Sequence, residues 1–207
     1  MEAHPQAPKA QETPQARPSY VALLRLHGTL EMRRPRKKGP PQPVLAVEGL
    51  GDFPIRPAPT LPHPQGMLRL VRRNLGKAAV AHLAPRTDGE GRYLPDKGEA
   101  IRVLVGKEPQ TPTLILHGRL VGVDPREGLM RVEIRPNPQG RLKEPFTLTL
   151  AASLALLEGL PPLGMGVWVE GDVRRGGLLV ARQVEAQPLW DDLGRGGGEG
   201  HHQEPSP

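Results

Sequence analysis

Leu24-Arg25-Leu26-His27-Gly28-Thr29-Leu30 and Leu114-Ile115-Leu116-His117-Gly118-Arg119-Leu120 carry one pattern, L-x-L-H-G-x-L, at an offset of 90 residues. In the first copy the alternation runs on to Met32. Leu24, Leu26, Leu30 and Met32 share one face, and Arg25, His27, Thr29 and Glu31 share the other. Apolar residues at every second position describe a strand with one face buried. Both copies open a β-rich stretch, so the echo points to a duplicated β module.

Around the second copy the pattern is cleaner. Residues 113–123 form a strand and 124–128 a hairpin-type turn. Residues 129–135 alternate again, with Met130, Val132 and Ile134 inward and Arg131, Glu133 and Arg135 outward. A turn at 136–140 leads to a third strand at 146–150. Residues 151–160 read as the one convincing helix, with Ser153 placed to cap it and Pro161-Pro162 ending it. A closing hairpin, 167–173 and 178–185, turns across Arg174-Arg175-Gly176-Gly177. The order over 111–188 is β-β-β-α-β-β.

The first half is looser. Its opening strand ends in Arg33-Arg34-Pro35-Arg36-Lys37-Lys38-Gly39-Pro40-Pro41, a basic loop that cannot lie inside a sheet. Residues 44–50 read as a short strand and 51–66, with five prolines, as a long surface excursion. Strands are expected at 67–73 and 78–83 around the turn Asn74-Leu75-Gly76, a loop at 87–98, and a last strand at 101–105. The expectation for 19–110 is a divergent, OB-like β-barrel without a helix. Residues 1–18 read as a disordered arm and 189–207 as a flexible, acidic, Gly-rich tail. The fold class is all-β.

Composition narrows the function. The 207 residues include 25 Gly and 26 Pro, close to low complexity, but 37% are hydrophobic, enough for a core. Glycine has no three-residue period, and no apolar run approaches the ~18 residues of a membrane helix. Met1-Glu2-Ala3-His4-Pro5 is polar and does not read as a secretory signal. With no cysteine there are no disulfides or thiolate ligands, and the cytoplasm is the default location. Arg outnumbers Lys 21 to 7, and Asn occurs only at 74 and 137, which hints at a thermophilic source. Charge is uneven: residues 1–110 carry net +8, 111–188 net +1 and 189–207 net −3. A basic half and an acidic tail suggest a polyanion partner and a tail that competes with it.

Three strands, a helix and a closing hairpin give the second half a resemblance to the OB-fold, a five-stranded Greek-key barrel. In that family the first strand often bends at a glycine, where Gly118 and Gly28 stand. Two such modules with an acidic tail resemble the tandem-OB bacterial single-stranded DNA-binding proteins. The resemblance implies a non-enzymatic, DNA-binding role in replication or repair. The tail departs from the family's pattern, because past Leu189-Trp190-Asp191-Asp192-Leu193 it has no acidic tip ending in an apolar residue.

Candidate binding residues follow. Arg33, Arg34, Arg36, Lys37 and Lys38 place five cations within six residues, and such a run gains affinity by releasing counterions from phosphates. In an OB-fold this loop joins the first two strands and closes over the oligonucleotide; otherwise it is a solvated loop. Arg69, Arg72 and Arg73 extend the basic character. Trp168 lies on a polar face with Glu170 and Asp172, where it stacks a base or covers a neighbouring element. His27 and His117 face outward beside Arg25 and Arg119, to meet phosphate or an interface, and Arg131 faces outward on the second module. No catalytic motif, metal spacing or cofactor signature is present, so an enzyme is not expected. The partner expected is single-stranded nucleic acid. A protein partner docking on the OB-fold or the acidic tail is the alternative, and an oligomer is compatible with either.

Overall fold

The computed structural model describes residues 19–34, 39–107 and 113–192. In chain order they form β1 (Val21–Arg33), β2 (Gln42–Val47), β3 (Gly51–Pro54), α1 (Pro64–Arg73), β4 (Ala78–Ala84) and β5 (Glu99–Val105). The second module follows with β6 (Thr113–Asp124), β7 (Leu129–Ile134), β8 (Phe146–Ala151), α2 (Leu154–Glu158), β9 (Gly166–Val173) and β10 (Leu179–Ala186). The scaffold is all-β, as the alternation predicts.

Each strand of one module has its counterpart in the other. β1 pairs with β2 and β4, β2 with β3, and β4 with β5. β6 pairs with β7 and β9, β7 with β8, and β9 with β10. Each set is closed by a parallel contact onto its fifth strand, Ala151 with Val180 and Pro57 with Ala100. The closure of the first module is held by Ala58 N donating to Ala100 O (2.9 Å) and Ala100 N to Arg56 O (2.6 Å).

The likeness extends to register. His27 lies opposite Val80 on the β1–β4 ladder as His117 lies opposite Trp168 on β6–β9. Both fifth strands carry the same bulge. Ile101 is the extra residue between the pairs His82–Arg102 and Leu83–Ala100, and Arg182 between Glu170–Gln183 and Gly171–Ala181. The heptapeptide echo is one trace of a duplication that runs through the barrel. The two modules meet through an antiparallel ladder from Val21–His117 to Arg25–Thr113. In it Leu24 pairs with Leu114, its own equivalent, so the ladder carries a pseudo-twofold axis. Strands β5-β4-β1-β6-β9-β10 thereby run on as one sheet.

Leu24, Leu26 and Leu30 of β1, Ala79, Ala81 and Leu83 of β4, and Leu114, Leu116 and Leu120 of β6 belong to one buried cluster. Gly28 and Gly118 stand where each first strand passes from its fourth-strand partner to its second-strand partner. A Cβ at Gly28 would run into the carbonyl of Ala46, and one at Gly118 into Val132, Ile134 and the carbonyl of Glu133. Close approach of the paired strand is what requires glycine there.

Four expectations are corrected. Residues 67–73, read as a strand, are helical. Pro64 starts α1, and Met67 and Val71, one turn apart, face the core. The period-two reading failed because a short Arg-rich run fits both periods. The first module therefore has a helix between its third and fourth strands, as the second does. Within the supposed excursion of 51–66, Gly51–Pro54 pairs with β2 as β3. The second helix is shorter than 151–160, since Ala151 ends β8, while Ser153 Oγ does accept from Leu156 N (3.3 Å). Finally, residues 189–192 are not loose tail: Leu189 is fully buried and Trp190 packs half-buried on the core.

Candidate nucleic-acid interface

α1 gathers its three arginines on one side. Arg69, Arg72 and Arg73 fall within about 100° of arc at 3.6 residues per turn, whereas a strand would split them. All three are exposed, opposite the buried Val71. Cations in a last helical turn are favoured by the carbonyl end of the dipole. The turn after α1 is tied to β1, with Gly76 N donating to Leu30 O (2.7 Å) and Leu30 N to Lys77 O (3.0 Å). That tie brings Arg72, Arg73 and Lys77 to the end of the barrel where β1 runs out through Arg33 and Arg34. Arg33 is committed to Glu31 (2.5 Å) and Asp52 (3.7 Å). Arg34, Arg69, Arg72 and Arg73 are exposed and have no carboxylate partner among the described residues. Arg36, Lys37 and Lys38 lie outside the described residues.

A second group sits on the outer face of β1, β4 and β5. Arg25 lies opposite His82, and His82 opposite Arg102, with His27 two residues along β1. Arg25 and His27 are half-buried, and Arg25 Nε and His27 Nε2 have no hydrogen-bond partner among the described residues. Burial, then the charges of Arg25 and Arg102, hold His82 below the usual histidine range. The sequence reading named Arg25 and His27 but missed His82 and Arg102. Alternation over 80–84 turns His82 outward, yet only the register of three strands brings these four together.

Three expected residues are closed off by their own contacts and join neither group. His117 is buried, its Nε2 3.5 Å from Gln187 O, because the segment after β10 folds back over it. Arg119 is taken by that same segment, pairing with Asp191 and Asp192 at 2.8 Å each and bonding to Gly164 O. Burial opposes its charge, but hydrogen bonds from Arg119 to Asp192 and Tyr20 outweigh this and raise its pKa. Trp168 is half-buried, 5.8 Å from the His117 ring, and donates Nε1 to Glu170 (3.2 Å). It covers a neighbour rather than standing open. Covering a neighbour was one of the two readings the sequence offered for Trp168, but the capture of Arg119 was not legible, because Asp191 and Asp192 read as tail.

Arg131 is exposed on β7 and lines a cleft of about 550 Å³ with Arg92, Glu90, Leu129, Thr147 and Thr149. One wall is the β4–β5 connection of the first module, anchored on β8 by Thr149 N to Gly91 O (2.8 Å) and Thr149 Oγ1 to Glu90 O (2.9 Å). The cleft is built from both modules and carries two arginines and one carboxylate. No helix among the described residues is long and apolar enough to cross a membrane. No family model matches the chain, and no curated protein matches it in sequence.

Proposed function

We propose that the protein binds single-stranded nucleic acid, most readily DNA, through charge, and that its two modules are OB-folds. The observation that carries this is the unpaired cationic end of the first barrel, where Arg34, Arg69, Arg72 and Arg73 face solvent without a neutralising carboxylate among the described residues. Exposed cations of this kind suit a phosphate chain, and their counterions are released on binding. Catalysis is not part of the proposal, and the cytoplasm is its setting.

Fluorescence anisotropy of labelled single-stranded and duplex oligonucleotides over a salt series tests it. Binding should be strongest at ~50 mM salt and fall linearly in log–log form. Replacing Arg69, Arg72 and Arg73 with Ser should flatten the slope by about 2, at ~0.7 per single-strand phosphate contact. An absence of single-strand binding at low salt would sink the reading.

One observation favours a protein-docking reading instead. On the second module Leu154, Leu163, Met165 and Leu178 are 43–61% exposed. Apolar side chains that open to water suit a protein surface better than a phosphate chain.

A further inference from the structure

An apolar trough crosses the seam between the modules. Two hollows of about 250 and 400 Å³ share Leu61 and Ile101 as walls. One end lies beside Leu70 of α1, the other at Phe146 of the second module. Ile101 reaches into it because it is the bulged residue of β5, and it is 42% exposed. Leu70, on α1, is 41% exposed. Both are large apolar groups left open to water beside one another's hollow.

The rim is cationic. Arg86, Arg102, Arg135 and Arg141 line it; Arg86 pairs with Glu99 at 2.8 Å, the one carboxylate among the described lining residues, and Arg135 pairs with Glu133 and Asp191. Arg102 and Arg141 are exposed and have no carboxylate partner among the described residues. An apolar floor between guanidinium edges is complementary to a strand whose bases are bare and whose phosphates flank them. A duplex keeps its bases stacked inside and offers that floor nothing. The exposed arginines of α1 lie on the same helix as Leu70, although they do not line the trough.

We infer that this trough is the path of a single strand, with bases lying on Leu61, Leu70, Ile101 and Phe146 and phosphates on Arg102 and Arg141. The inference rests on the nucleic-acid reading and gives it a place and a preference for single strands. It also supplies what scarce aromatics leave missing: aliphatic side chains and one phenylalanine take the place of a stacking platform.

The absence of native cysteine makes single labels unique. I101C and, as a control on the other module, L163C would each carry an environment-sensitive fluorophore and be titrated with oligothymidylate at ~50 mM salt, with anisotropy of the same oligonucleotide run alongside. Emission at 101 should shift with the anisotropy midpoint, and emission at 163 should stay flat. R102S/R141S should lower the salt slope by about 1.4, two single-strand phosphate contacts. I101D, at an exposed position, should weaken binding roughly tenfold while duplex affinity stays unchanged. Binding by anisotropy with no response at 101 overturns the trough and leaves the function standing. No binding by either readout overturns both. A shift at 101 on raising protein concentration alone puts a second copy there and overturns the inference.

Discussion

His82 shows how a single position reads differently once its neighbours are known. From β1 it is faced by Arg25 and His27, and from β5 by Arg102, with no carboxylate among its cross-strand partners. The unfolded chain takes up a proton near pH 6.5, where folded His82 resists it. Its contribution to stability is therefore present above about 6.5 and lost as pH falls through that value toward the lower folded pKa. Thermal melts at pH 7.5 and 5 should show a smaller acid-induced drop for His82→Asn than for the parent chain. Equal drops would mean that His82 is not held neutral. A phosphate chain lying across Arg25 and Arg102 would reverse the sign, because it favours protonated His82.

Among the elements, β1 and β6 bear the most demanding role, since each pairs with two strands of its own module and also joins the modules. Gly118 sits at the handover, and Gly118→Val would force its new methyls against Val132, Ile134 and the Glu133 carbonyl. Overpacking of this kind costs about 1–3 kcal/mol, readable as a lower midpoint in urea with unchanged slope. Strand positions were legible because Leu24–Leu30 and Met130–Ile134 alternate without interruption. α1 was not read as a helix because Leu68, Arg69 and Leu70 alternate as a strand would, while Met67, Leu68, Leu70 and Val71 keep the helical spacing as well, and so short a run does not separate the two periods. Pro64 was the available signal. β3 escaped notice because four residues beside prolines carry no period at all.

For the molecule as a whole, one buried cluster spans both modules and the strands run on across the β1–β6 seam. Unfolding should therefore be one cooperative transition, with far-UV circular dichroism and tryptophan fluorescence changing at the same temperature. Two separated transitions would show that the seam is too weak to couple the halves. The C-terminal segment belongs to this unit. Leu189 enters the core, and Asp191 holds Tyr20 Oη (2.9 Å) as well as Arg119, linking the two ends of the described chain.

Local pattern was enough to establish an all-β chain, a repeated module, the β-β-β-α-β-β order of the second half and a basic first half. These depend on side-chain periodicity and composition, which a linear string carries. Which cations lie together, and which are already spent, depended on folding. Arg119 and Arg131 look alike in sequence, both outward on a strand, yet one is closed off by two aspartates more than seventy residues away and the other opens into a cleft. Register, the pseudo-twofold seam and the trough at Ile101 likewise arise where strands remote in sequence are aligned by a shared core. The alignment is set by the packing of all of them at once, which no single stretch of the chain encodes.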